Sequence, residues 1–128
     1  MAPVERVIEL ARAATSKIDE TYDAPDVLSF TTEALEVIKA HPDLQAEFES
    51  AFLDMSAYAT TEFVEVCMHA LRWPNVKQEF ERRHREAVAG NNWRAEPVYR
   101  HYLDAFEDDW NVAHTFYAAY FGPDATGA

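Results

Sequence analysis

The chain has 128 residues, 48% of them apolar, and sets 11 Lys and Arg against 23 Asp and Glu for a formal net charge of −12. A single core at this length removes roughly two-thirds of the unfolded chain's surface from water, so no disulfide or metal is needed for folding; one helical domain is expected over residues 1–122, with 123–128 as a C-terminal tail. The lone Cys67 cannot build a disulfide framework, no run approaches the roughly 20 apolar residues of a membrane span, and Glu5, Arg6 and Glu9 interrupt any secretory signal, so a cytoplasmic location is predicted.

Six Pro and only three Gly punctuate the chain, and the Pro fall between or at the edges of periodic segments. That spacing predicts helices with tight connections, since Pro is accepted in a first helical turn, where its missing N–H would have no partner. A first helix from about Pro3 to Thr21 carries Val4, Val7, Ala11, Ala14 and Ile18 on one face. Asp23 or Ala24 caps a second, opened by Pro25 and carrying Val27, Ala34, Leu35 and Ile38. A third follows Pro42 with Leu44, Phe48, Ala51, Phe52 and Met55 inward, and Asp43, Glu47 and Glu49 outward. Thr60 or Thr61 caps a fourth that holds Phe63, Val64, Cys67, Met68 and Leu71.

Pro74 opens a fifth, which repeats Val76, Phe80, His84, Ala87 and Val88 and is predicted to close on Gly90 in the left-handed conformation. Asn91 or Asn92 caps a sixth with Val98, Tyr102, Ala105 and Phe106 facing inward, and a seventh runs from about Trp110 to Gly122. No stretch alternates as a half-buried strand does. The fold class is therefore all-α, with six or seven short antiparallel helices in a compact orthogonal bundle or a short stack of helical hairpins.

Charge is unevenly distributed. Residues 1–71 carry 4 basic and 14 acidic side chains, residues 72–100 carry 7 and 4, and residues 101–128 carry none and 5. Phosphate binding needs a basic footprint that this chain lacks, so direct nucleic-acid binding and an anionic membrane surface are disfavoured and a basic protein partner is the natural complement.

The segments Arg72-Trp73-Pro74-Asn75-Val76-Lys77 and Asn92-Trp93-Arg94-Ala95-Glu96-Pro97-Val98 resemble the helix starts of HEAT-type repeats over about residues 60–110. That resemblance implies stacked helix pairs whose exposed face binds a protein, and it transfers no catalytic residue.

Five histidines are the natural candidates for chemistry. His41 beside Pro42 suits a capping or exposed role, and Cys67 and His69, two apart on a helix, point about 200° from each other and cannot pair. His84 is predicted to lie buried among Phe80, Ala87 and Val88 as a structural residue, and His114 to pack on Trp110. His101 and Asp104, three apart, share a helical face and are the one local pair suited to acid–base or metal work. No glycine-rich phosphate loop, nucleophile elbow or His-Glu-x-x-His motif is present, so catalysis, a metal and a cofactor are not expected.

The strongest constellation is aromatic and acidic. Trp93, Tyr99, Tyr102, Phe106, Trp110, Phe116, Tyr117, Tyr120 and Phe121 crowd the C-terminal third, around the acidic run Asp104-Ala105-Phe106-Glu107-Asp108-Asp109-Trp110. Either these rings are the core of a terminal helical hairpin with a solvated acidic turn between its helices, or, since a helix buries one face, some of them lie at a rim, where Tyr and Trp serve as interface anchors. The partner-binding residues expected are Tyr99, Tyr102, Asp104, Glu107, Asp108, Asp109, Trp110 and Tyr117. In size, charge and helical make-up the chain resembles the immunity proteins that neutralise bacterial toxins, which implies a non-catalytic acidic inhibitor that occludes a basic surface. Two alternatives stand beside it. One is a nucleic-acid mimic displaying Glu33, Glu36, Asp43, Glu47, Glu49 and Asp54; the other is a helical small-ligand or metal-binding domain using His84, or His101 with Asp104.

Overall fold

A computed structural model describes residues 2–122, and every regular element among them is helical. The expected tail, 123–128, lies outside the described residues. Helix α1 (Pro3–Thr21) begins with Pro at its first position and buries Val7, Leu10, Ala11 and Ala14. It ends where Tyr22 turns left-handed at φ 54° and donates its N–H to the Ile18 carbonyl at 2.8 Å. Pro25 and Pro42 each open a short 3-10 turn rather than the α-helix itself, so α2 (Leu28–Ala40) and α3 (Gln45–Asp54) start a few residues later than the Pro positions alone predict. No side-chain cap from Asp23 or His41 forms at these starts.

Helix α4 (Thr61–Leu71) is buried nearly all round, through Phe63, Val64, Val66, Cys67, Met68 and His69. A helix so buried belongs at the centre, and α4 packs on both α2 and α6 (Ala95–Asp104). Helix α5 (Pro74–Ala89) packs on α6 and against α3, while α1 pairs with α2. The rings meet in the middle. Phe52 stacks on Phe63 with centroids 6.1 Å apart, Trp73 meets Phe52 edge-on at 5.9 Å, and Phe80 lies 4.8 Å from Tyr102.

Two expectations are corrected at the α5–α6 connection and beyond it. Gly90 has φ −92°, and the left-handed residue is Asn91 at φ 54°. Asn tolerates that conformation, and the chain closes one residue later than predicted, with the Asn92 N–H reaching the Ala87 carbonyl at 2.8 Å. Asn92 also opens α6, its Oδ1 accepting from the Arg94 and Ala95 N–H groups at 3.2 and 3.1 Å.

The seventh helix is broken into two single turns, α7 (Val112–Thr115) and α8 (Ala118–Phe121). A straight helix from Trp110 to Phe121 rises about 16 Å. Yet the rings of both residues lie 4.9 Å from the imidazole of His69, and only a bend brings them that close together.

Candidate functional site: an acidic cleft beside Trp110

The run after α6 folds over the end of α4 and leaves a cleft of about 420 Å³. Glu65 of α4, Asp104 of α6, and Glu107 and Asp109 of the connection line it with His101, Trp110, Asn111 and Val112. Four carboxyl groups and one imidazole converge there, and among the described residues no Lys or Arg lines it. The indole of Trp110 forms an apolar wall, itself seated on His69 and on Tyr117, whose ring centroid is 5.9 Å away.

Glu65 feels this arrangement most. Burial pushes its carboxyl up to about 8, and the neighbouring charges of Glu62 and Asp104 push the same way. At neutral pH it therefore keeps its proton. The exposed Asp104, Glu107 and Asp109 stand nearer solvent, as does Asp108, which pairs with Arg72 across the edge of the site.

Of the eight residues expected to bind a partner, the four carboxylates are exposed and adjacent. The rings divide differently. Tyr102 and Tyr117 are fully inside, at 0% and 1% exposure, and Trp110 is buried except where it lines the cleft. A continuous aromatic stripe requires more burial than one helical face provides, and the fold supplies it by packing the last segment onto α4 and α2, so these rings hold the scaffold. Tyr99 is half-buried, its hydroxyl 3.5 Å from the Arg83 guanidinium and 3.4 Å from the Ser56 hydroxyl. Burial pushes the hydroxyls of Tyr102 and Tyr117 well above the usual phenol range, and the Tyr102 Oη has no hydrogen-bond partner among the described residues.

The histidines are also redistributed. His84 is not sunk among apolar residues: its Nε2 meets a carboxylate oxygen of Glu96 at 2.8 Å, and Arg100 reaches the same oxygen at 3.1 Å. The inward histidine is His69, whose Nδ1 is 2.7 Å from the Ala105 carbonyl. It is His69 that packs on Trp110, while His114 bonds the Gly122 carbonyl at 2.8 Å through Nδ1. His101 and Asp104 do share the cleft, but among the described residues no group of three His, Cys, Asp or Glu side chains is arranged to hold a metal.

Sequence reasoning missed Glu65, which reaches the site from a helix nearly forty positions upstream. The one available signal was a charge in the middle of an otherwise buried helix. No helix among the described residues is long and apolar enough to cross a membrane. Comparison of the chain with protein-family models, curated proteins and solved structures finds no match, so the site rests on its own geometry.

Proposed function

We propose that the protein is a non-catalytic binding module, an acidic inhibitor that occludes a basic surface on a partner such as a bacterial toxin, in the manner of immunity proteins. The observation that carries this reading is the convergence of Glu65, Asp104, Glu107 and Asp109 on a cleft that no Lys or Arg lines among the described residues. A Lys or Arg of the partner entering there meets several carboxylates and the indole wall of Trp110, which also accepts a cation over its face. The pairing of α5 with α6 supports the repeat-like reading of residues 60–110, in which such a module displays one face to a protein.

Glu65 gives the reading a signature. A cation in the cleft favours the ionised carboxylate, so binding expels the proton that Glu65 holds up to about pH 8 in the free protein. Affinity then rises with pH through neutrality and levels off above about 8, and Glu65→Gln removes the slope. Capture from lysate followed by mass spectrometry is expected to yield one stoichiometric basic protein. Joint replacement of Asp104, Glu107 and Asp109 by Asn, Gln and Asn is expected to slow association by about tenfold or more, with the effect shrinking as salt shortens the roughly 8–10 Å screening length. An association rate indifferent to both substitution and salt rejects the cleft as the docking site.

A further inference from the structure

A second surface lies where α5 turns into α6, and its character is opposite to that of the cleft. Of the four large apolar residues well exposed on the described surface, two sit together here: Trp93, 81% exposed, and Val88, 55% exposed. Three shallow hollows of about 340, 240 and 290 Å³ meet at Asn92. Arg82 and Arg83 line the first, Val88 and Trp93 the second, and Arg94 the third.

The charges around them are not equally available. Arg82 is held by Glu79 and Glu86, Arg83 by Glu79 and the Leu53 carbonyl, and Glu96 by His84 and Arg100. Glu79, Glu86 and Glu96 are neutralised in place, while Arg94, next to Trp93 in the chain, and the exposed Arg85, one helical turn before Val88, make no ion pair among the described residues. This is also the one stretch of the chain, 72–100, where basic residues outnumber acidic ones.

We infer that the α5–α6 corner is a docking surface for an acidic segment of a partner protein, with an apolar side chain of that segment seated against Trp93 and Val88 and its carboxylates on Arg94 and Arg85. An exposed Trp beside unpaired Arg is the combination that dominates binding energy at interfaces, and Arg binds carboxylates in a two-pronged fork. The net charge of −12 does not forbid an acidic occupant, because at physiological salt the screening length of about 8 Å leaves the nearest charges in control. A second copy of the chain fits less well, since two such corners face to face would set Arg against Arg.

The test is selection of a displayed random peptide library on the intact protein, with counter-selection on Trp93→Ala. Selected peptides that alternate Asp or Glu with apolar residues, and that lose at least about tenfold in affinity on Trp93→Ala and on Arg94→Glu, support the inference. Their binding must also survive the triple substitution of Asp104, Glu107 and Asp109, which separates this surface from the acidic cleft. The melting temperature should be unchanged in Trp93→Ala, since the ring is largely in water. Selected peptides that are basic, or that bind Trp93→Ala as well as the parent, overturn the inference. So does a drop in melting temperature, which makes Trp93 a packing residue, or a concentration-dependent self-association that Trp93→Ala abolishes, which makes the occupant a second copy.

Discussion

Helix α5 and the segment after α6 are held in place by opposite means. Across sixteen residues α5 buries only Val76, Phe80 and Ala87, and its outer face is laced by Arg82 and Arg83 with Glu79 and Glu86. Residues 105–122 contain no helix longer than four residues, yet they bury Ala105, Phe106, Trp110, Ala113 and Tyr117. The first is a regular element specified by local chemistry, with Pro at its start and i,i+3 and i,i+4 pairs along its surface. The second takes its shape from what it covers. The cleft is built on the second kind of segment, so its geometry depends on Trp110 and on the Tyr117 ring buried behind it.

The largest expected effect follows from that dependence. Trp110→Ala removes a buried indole that packs on His69 and Tyr117, and it should cost about 3–5 kcal/mol in chemical denaturation. Binding that is lost while stability stays within about 1 kcal/mol of the parent would contradict the core assignment and return Trp110 to the interface.

Acid should act on the same segment next. Burial lowers the affinity of the His69 ring for a proton, and Arg72 and His114 add to the effect while the Ala105 carbonyl and Asp108 oppose it. The unfolded chain therefore binds this proton more readily, and stability is lost as pH falls below the ordinary histidine value of about 6.5. Amide hydrogen exchange is expected to show residues 105–122 opening before α5 as pH is lowered. Uniform loss of protection across both regions would show that His69 does not fasten the segment separately. Glu65 acts in the other direction. Its folded form holds a proton that the unfolded chain releases from about pH 4.5 upward, so stability falls between there and about pH 8, and falls less in Glu65→Gln.

Tyr102→Phe removes a buried hydroxyl without a partner among the described residues and should raise stability by about 1 kcal/mol, provided the ring stays against Phe80. A loss of stability would reveal a hydrogen bond to that hydroxyl. The smallest effect belongs to α5. Glu79 is held well down, at about 2, by hydrogen bonds from Arg82 and Arg83. Those partners are solvent-accessible, so Glu79→Gln should shift the melting temperature by no more than about 2 °C, and by less in high salt.

The regular helices could be read from the chain because their apolar stripes repeat every three or four residues and Pro marks their starts, as in α1 and α5. The Pro25 and Pro42 positions were legible too, although each starts a 3-10 turn before the helix. The break at Phe116 and Tyr117 was not, because the spacing of Trp110, Ala113 and Tyr117 suits a continuous helix and only the shared contact with His69 bends it. His84 and His69 exchanged roles for a related reason. Periodicity places a residue on a face of its own helix, and whether that face meets Glu96 or the core depends on a neighbour elsewhere in sequence. The acidic half of the cleft was legible as a run of carboxylates, whereas Glu65 joins it only through tertiary packing.

Cys67 sits at the middle of α4 with no exposure, and burial pushes its thiol well above its usual value. It is also the only cysteine in the chain. Thiolate is the species that reacts with alkylating reagents, so the native protein should be inert to them and modification must wait for α4 to come out of its surroundings. One adduct per molecule, measured by mass against time, then becomes a clock for the rarest and most complete opening of the structure. Comparing that clock with exchange at residues 105–122 tells whether the aromatic flap comes away long before the centre yields.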